Sequence, residues 1–216
     1  KHIKKLSDIK LVKIRERINQ INSLNLNTNL KENLIKMVKK EFNNVEFSDD
    51  YFSSFISGLN EKKLSMKKSA KFDSSIILVC FYDNFENFAK RWIEHYISIG
   101  IRNFVLVNNN SIDNSSKILN SYAKKVNISF WSIKENCNCI KICGLRQQIL
   151  DFYGTNHRFL MINQDELLIY EDFLHTKFED FIKNKKLTCV KALVLDVYTD
   201  KNRMDDLEFV DKGTYR

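Results

Sequence analysis

Asp165 and Glu166 stand side by side at the end of the apolar run "FLMI", with Asn163 two residues before the first acid. An unpaired carboxylate in a forming core costs on the order of several kcal/mol unless a cation or hydrogen bonds compensate. Two readings follow. The acids make a turn or a helix start, where Asp and Glu are favoured, or they are hard oxygen ligands for Mg2+ or Mn2+. A divalent ion there can hold the phosphates of a nucleotide and stabilise a departing diphosphate.

A second polar cluster is "VNNNSIDNSSKIL", residues 107–119. Asn, Ser and Asp between a strand and a helix can bind a polar ligand, although N-capping by Asp113 or Ser115 explains much of the pattern. In "NFAKRWIEHYISIG" (87–100), Trp92 and Tyr96 lie one helical turn apart and read as core. His95 and Glu94 are acid–base types, yet a single His on a helix reads first as a packed or capping residue. Arg146 is either a phosphate ligand or a surface cation. Cys137, Cys139 and Cys143 lack the paired C-x2-C spacing of a zinc site and read as small loop residues. An odd total of five cysteines favours reduced thiols.

Elements must position these groups. Apolar runs predict strands over 75–82, 103–109, 126–133, 158–163 and 189–198, and helical periodicity fills the intervals, including "GLRQQILDFYG" and "FLHTKFEDFIKNK". Alternating strands and helices predict an α/β fold, a mostly parallel sheet flanked by helices. Ligands of such sheets gather at the carboxyl ends of strands, where Asp83 and Asn84, "NNNSID" and "NQDE" fall. Walker, G-x-G-x-x-G and G-x-S-x-G patterns are absent, which disfavours P-loop, dinucleotide-binding and α/β-hydrolase folds.

The N-terminal third differs in kind. Residues 1–72 carry 16 Lys/Arg against 8 Asp/Glu, whereas 73–216 carry 19 of each, so the whole net charge of +8 sits in the first segment. Residues 3–21 and 30–42 read as basic amphipathic helices, "SDDYFSSFISGL" as a third helix, and 60–71 as a linker. We therefore expect a basic helical segment over 1–72 and a sheet domain over 73–216. The heavy use of Lys, Asn and Ile, with no Pro, reads as the bias of an AT-rich genome, and no nucleic-acid motif appears, so nucleic acid is not an expected partner. The alternatives for 1–42 are a solvated or oligomerising appendage and peripheral contact with an anionic membrane surface. No apolar run reaches the roughly 20 residues that span a bilayer.

Taken in order, "ENFxxRWIEHYxxxGIRNF", "VxNxSxD", "RxxxLxxYG", "DELLIY" and "LDVY" resemble the family-2-like glycosyltransferases, in the group with HYRxLG, DNxSTDG, DxDE and LDMYP motifs, over roughly 76–200. The resemblance implies a GT-A fold, a nucleotide-sugar donor, a divalent cation (Mn2+ or Mg2+) and a usually inverting transfer to an acceptor hydroxyl. It places Asp83, Asn84, Asn109, Ser111, Asp113, Arg146 and Asn163 on the donor nucleotide, and Asp165 and Glu166 on the metal. It further implies a bacterial surface-glycan or glycolipid acceptor, lipid-linked in many such enzymes, and a cytoplasmic protein that can sit at the inner membrane face.

The sequence departs from that pattern at named positions. Asn163 stands for the first Asp of DxD and Asn108 for the Asp before Asn109. Asn110 and Asn114 stand for glycines, Ile112 for Thr and Thr199 for Pro. The resemblance also puts the acceptor side and the catalytic base beyond "LDVY", and 18 residues follow Tyr198. The domain is therefore expected to be incomplete at its C-terminus, and no base is assigned. The alternative to a transferase is a non-catalytic nucleotide-binding or scaffolding relative.

Overall fold

The structure is a computed structural model that describes residues 2–24, 28–41, 49–59, 64–72, 76–134, 137, 139–154, 156–187, 197–198 and 214–215. The chain forms two compact units, Lys1–Ser65 with Lys134–Thr155, and Met66–Ile133 with Asn156–Arg216.

The first unit is helical: α1 (His2–Ser23), α2 (Thr28–Glu41), α3 (Asp49–Gly58) and α6 (Cys139–Tyr153). Ile21, Leu34, Val38, Phe52 and Leu59 form its core, with Ile14 and Ile18 packed against them. Ile14, Ile18, Ile21, Leu34 and Val38 are inward positions that the helical spacing predicts, whereas Phe52 and Leu59 belong to the segment of the third helix, for which the sequence named none; the side chain of Met37, also predicted inward, lies outside the described ones. Arg17 is buried with its guanidinium 4.7 Å from the centre of the Phe52 ring, an arrangement that keeps a cation in an apolar place. Helix α6 starts at Cys139, earlier than the predicted start at Gly144. Gly144 is not a boundary but a contact point. A Cβ on it would run into the Phe55 carbonyl oxygen and lie 2.7 Å from the backbone carbon of Gly58. The two glycines let α3 and α6 meet backbone to backbone, and the Gln148 amide donates to the Gly58 carbonyl at 2.5 Å.

The second unit is a five-stranded sheet in the order β1-β4-β3-β2-β5, where β1 is Leu64–Lys68, β2 Ile76–Tyr82, β3 Asn103–Asn108, β4 Asn127–Ile133 and β5 Arg158–Met161. The pairs β2·β3, β3·β4 and β2·β5 are parallel. The fold is the expected α/β class, with α4 (Glu86–Ser98), α5 (Ser115–Ser121) and α7 (Phe178–Asn184) as helices of this unit. Every residue of β2 is buried, as a continuous apolar run requires when both faces of a parallel strand are covered. Ile76, Leu78, Cys80 and Tyr82 share a core with Trp92, Ile93 and Tyr96 of α4 and with Phe104 and Leu106 of β3.

Three elements differ from expectation. Residues 64–68, predicted as linker, form β1 at the sheet edge. Helix α7 begins at Phe178, because 171–176 turn instead: Asp172 takes φ +62° and accepts the Thr176 hydroxyl at 2.8 Å. Val197–Tyr198 pairs antiparallel with Thr214–Tyr215 in a separate two-stranded sheet. The rest of that predicted strand, 189–196, lies outside the described residues.

Candidate functional site

The chain runs β2 to β3 to β4 in one direction across the sheet and then returns to β5 on the other flank of β2. That reversal is a topological switch point, the place beyond the carboxyl ends of the strands where open parallel sheets bind their ligands. Three segments emerge there: 83–85 after β2, 109–114 after β3 and 162–168 after β5. Side chains tie the first of them to each of the other two.

The first two segments interlock through their own polar groups. The Asn84 N–H donates to the Ser111 hydroxyl at 3.0 Å, and the Ile112 N–H donates to Asn84 Oδ1 at 3.0 Å. Asn109 is buried, and its N–H donates to the Tyr82 carbonyl at 2.8 Å, which fixes the exit from β3. Asn108 Oδ1 accepts the Ser111 N–H at 2.7 Å while its amide donates to the Ser116 hydroxyl at 3.0 Å. Asn84 and Asn110 adopt φ of +46° and +61°. The left-handed region suits glycine and, among side-chain residues, is best tolerated by Asn. That accounts for Asn110 where the resemblance expects Gly. Ile112 is 93% exposed on this braced loop.

Asp113 and Glu86 cap each other's helices. Asp113 Oδ2 accepts the Glu86 N–H at 2.7 Å, and its Oδ1 accepts the Ser115 N–H at 3.0 Å and the Ser115 hydroxyl. In return, Glu86 accepts the N–H of Asn114 at 3.0 Å and its side-chain amide at 2.9 Å. Phe85 N–H donates to the Ser115 hydroxyl at 2.6 Å. The first N–H of α4 and the first N–H of α5, groups without intrahelical partners, are thus both bonded by Asp113. Burial works to raise the Asp113 pKa, but the Ser115 hydroxyl and the N–H groups of Glu86 and Ser115 hold it below the ordinary range.

The acidic segment is held from beneath by α4. Trp92 Nε1 donates to the Asn163 carbonyl at 3.2 Å, and the Tyr96 hydroxyl donates to the Glu166 carbonyl at 3.0 Å while accepting the Leu168 N–H at 3.1 Å. His95 Nε2 bonds the Leu168 carbonyl at 2.9 Å. Burial lowers the His95 pKa, with the Leu168 bond opposing. The ordered residues "RWIEHY" are therefore a cradle for "NQDELL". Helix α4 ends at Ser98, and Gly100 just beyond it, at φ +97°, closes the last turn: Gly100 N–H donates to the Ile97 carbonyl at 3.1 Å and Ile101 N–H to the Tyr96 carbonyl at 3.0 Å.

Within the acidic segment, Asn163 and Glu166 pair. The Glu166 carboxylate accepts the Asn163 N–H at 3.0 Å and its side-chain amide at 2.8 Å. Asp165 is exposed. Among the described residues no three His, Cys, Asp or Glu side chains gather into an ion-binding group. The donor set is thus one outward carboxylate beside a carboxylate already hydrogen-bonded. That fits Mg2+ or Mn2+ held by one or two carboxylates together with substrate phosphates, but not a cage made wholly of protein ligands.

Of the residues singled out in the sequence, Asp83, Asn84, Asn109, Ser111, Asp113, Asn163, Asp165 and Glu166 all lie on these three segments. Arg146 lies on α6, in the helical unit. Sequence reasoning missed Gln164 and Glu86, and named Asn108 only as a departure from the family pattern. Their signal is weak, because amides and acids at loop ends suit plain solvation equally well.

No protein-family model and no curated protein matches the chain. Among solved structures it is similar to TarS 1-349 from S. aureus, and to the same protein in complex with UDP-GlcNAc, each at 14% identity and a TM-score of 0.38 over 52% of this chain. The match spans 31% and 30% of those chains, so this chain corresponds to under a third of TarS 1-349.

Proposed function

We propose that the chain carries the donor-binding half of a GT-A-type glycosyltransferase that moves a sugar from a nucleoside-diphosphate donor to a surface-glycan or glycolipid acceptor. The observation that carries this reading is the joining of three loops at the switch point of a parallel sheet, with an exposed Asp165 at their edge. Asn84, Asn109 and Ser111 would face the nucleotide, and Asp83 and Asn163 would flank it. Asp113 serves the nucleotide indirectly, by fixing the loop.

Asp165 would hold a divalent ion shared with the diphosphate, with Glu166 behind it orienting the turn through Asn163. Bound there, the ion supplies charge neutralisation for the leaving diphosphate. Transfer with inversion needs a base for the acceptor hydroxyl, and none of the described residues is assigned that role.

The acceptor is proposed to be lipid-linked or polymeric, with α1 and α2 contacting the anionic inner membrane face from the cytoplasm. Arg15, Lys36 and Lys39 are exposed on those helices, and among the described residues no helix is long and apolar enough to cross a membrane. The Asn163–Glu166 pair favours a second reading, a nucleotide-binding relative without turnover, because it stabilises the turn with an amide where the resemblance expects an acid.

Calorimetry with UDP and Mn2+ tests the site. Binding that Asp165→Ala weakens is expected; absent binding, or binding indifferent to that change, overturns the assignment. Release of UDP from a nucleotide sugar then separates the transferase from the relic.

A further inference from the structure

Gln164 sits between Asn163 and Asp165, and its side chain turns to the main chain of Asp83, the residue just past β2. Its Oε1 accepts the Asp83 N–H at 2.7 Å, and its Nε2 donates to the Asp83 carbonyl at 3.1 Å. A carboxamide carries the same donor and acceptor as a peptide group, so it can pair with a strand as a neighbouring strand would.

The ladder explains why that is needed. β2 and β5 run in register from Ile76↔Arg158 to Val79↔Met161, and the Ile162 N–H still reaches the Val79 carbonyl at 3.1 Å. Beyond that point the β5 backbone turns away, while β2 continues to Tyr82. Gln164 restores the pairing at Asp83 with a side chain in place of a strand. The link then runs on: Asn84, next in the chain, joins Ser111 and Ile112.

We propose that Gln164 is a positioning residue for the nucleotide site, holding the Asp165 turn in fixed register with the loops after β2 and β3. The inference rests on the donor-site reading above. The Gln164 carbonyl and amide are both engaged by Asp83, so its effect on a ligand is transmitted through Asp83 and Asp165.

Two variants separate this role from general stability. Gln164→Ala removes both bonds. Gln164→Met also removes both bonds but keeps the length of the side chain, so it disturbs the packing least. Three quantities are measured: exchange of the Asp83 amide proton without ligand, affinity for UDP with Mn2+, and the folded fraction under the same conditions.

The expected result is Asp83 exchange about tenfold faster in Gln164→Ala and UDP affinity about tenfold lower, the scale of a lost hydrogen bond. Gln164→Met should show the same two changes while fully folded. If Gln164→Ala fails to fold, Gln164→Met decides the question. Wild-type binding that both variants match overturns the positioning role and leaves the donor site standing, as does faster Asp83 exchange with unchanged affinity. A wild-type chain that binds no UDP overturns both.

Discussion

Asn163 and Glu166 hold each other head to tail: two N–H donors of the one, at 3.0 and 2.8 Å, meet the two carboxylate oxygens of the other. The amide stands where the resemblance expects an acid, and its partner shows what it does there. An acid at 163 would confront Glu166 with a second carboxylate, tolerable only with a cation or a proton between them.

Asn163→Asp should therefore destabilise the protein by about 1 kcal/mol near pH 8, as a lost hydrogen bond and a like-charge contact at a half-exposed site. The sign with pH is definite. The crowded pair in the folded variant takes up a proton more readily than in the unfolded chain, so the deficit is present at high pH and shrinks as pH falls through the raised value. Millimolar Mn2+ should shrink it as well. Urea unfolding near pH 5 and pH 8, with and without Mn2+, checks both; a variant as stable as wild type near pH 8 contradicts the pairing.

Asp113→Asn keeps one acceptor and turns the other into a donor aimed at an N–H of Glu86 or Ser115. A loss of about 2 kcal/mol is expected, the scale of a helix cap with a misplaced donor. In the wild type the depressed pKa of Asp113 gives stability that is full above its ordinary value of 3.8 and is lost as pH falls through the lower native value. The variant lacks that titration, so its acid unfolding profile should be flatter below about pH 4. Parallel profiles for the two proteins would sink the capping account.

Gly144→Ala adds a methyl where the Phe55 carbonyl and the Gly58 backbone already stand. A Gly-to-Ala change inside a helix normally gains roughly 1 kcal/mol. Here overpacking against backbone should reverse the sign, with a net loss of about 1–3 kcal/mol. Thermal unfolding followed by helical circular dichroism measures it, and a raised Tm would show that α3 and α6 do not cross at these glycines.

How much the sequence disclosed depends on the kind of force involved. The run "IILVCFY" announces β2 because a strand buried on both faces must be apolar throughout. β1, "LSMKK", is a half-exposed edge strand whose pairing with β4 supplies what its composition does not. Gly144 reads as a helix boundary from propensity alone, and only the approach of α3 makes it an interior residue.

In the site, the acids were visible by type, and the capping role of Asp113 was legible from "DNSS". That Asp113 also caps α4, and that Gln164 pairs with Asp83, depends on segments distant in sequence meeting at the switch point. Trp92 and Tyr96 read correctly as core, and His95 as a packed residue, yet their polar tips carry the further task of holding "NQDELL".

If the segments 83–85, 109–114 and 162–168 form one nucleotide site, they respond to UDP together. Titrating the amide-resolved NMR spectrum with UDP and Mg2+ tests it most directly. Saturable shifts concentrated at Asn84, Asn109, Ser111 and Asp165 are expected, with Mn2+ in place of Mg2+ broadening Asp165 and Glu166 first. An unchanged spectrum, or shifts centred away from these three segments, contradicts it.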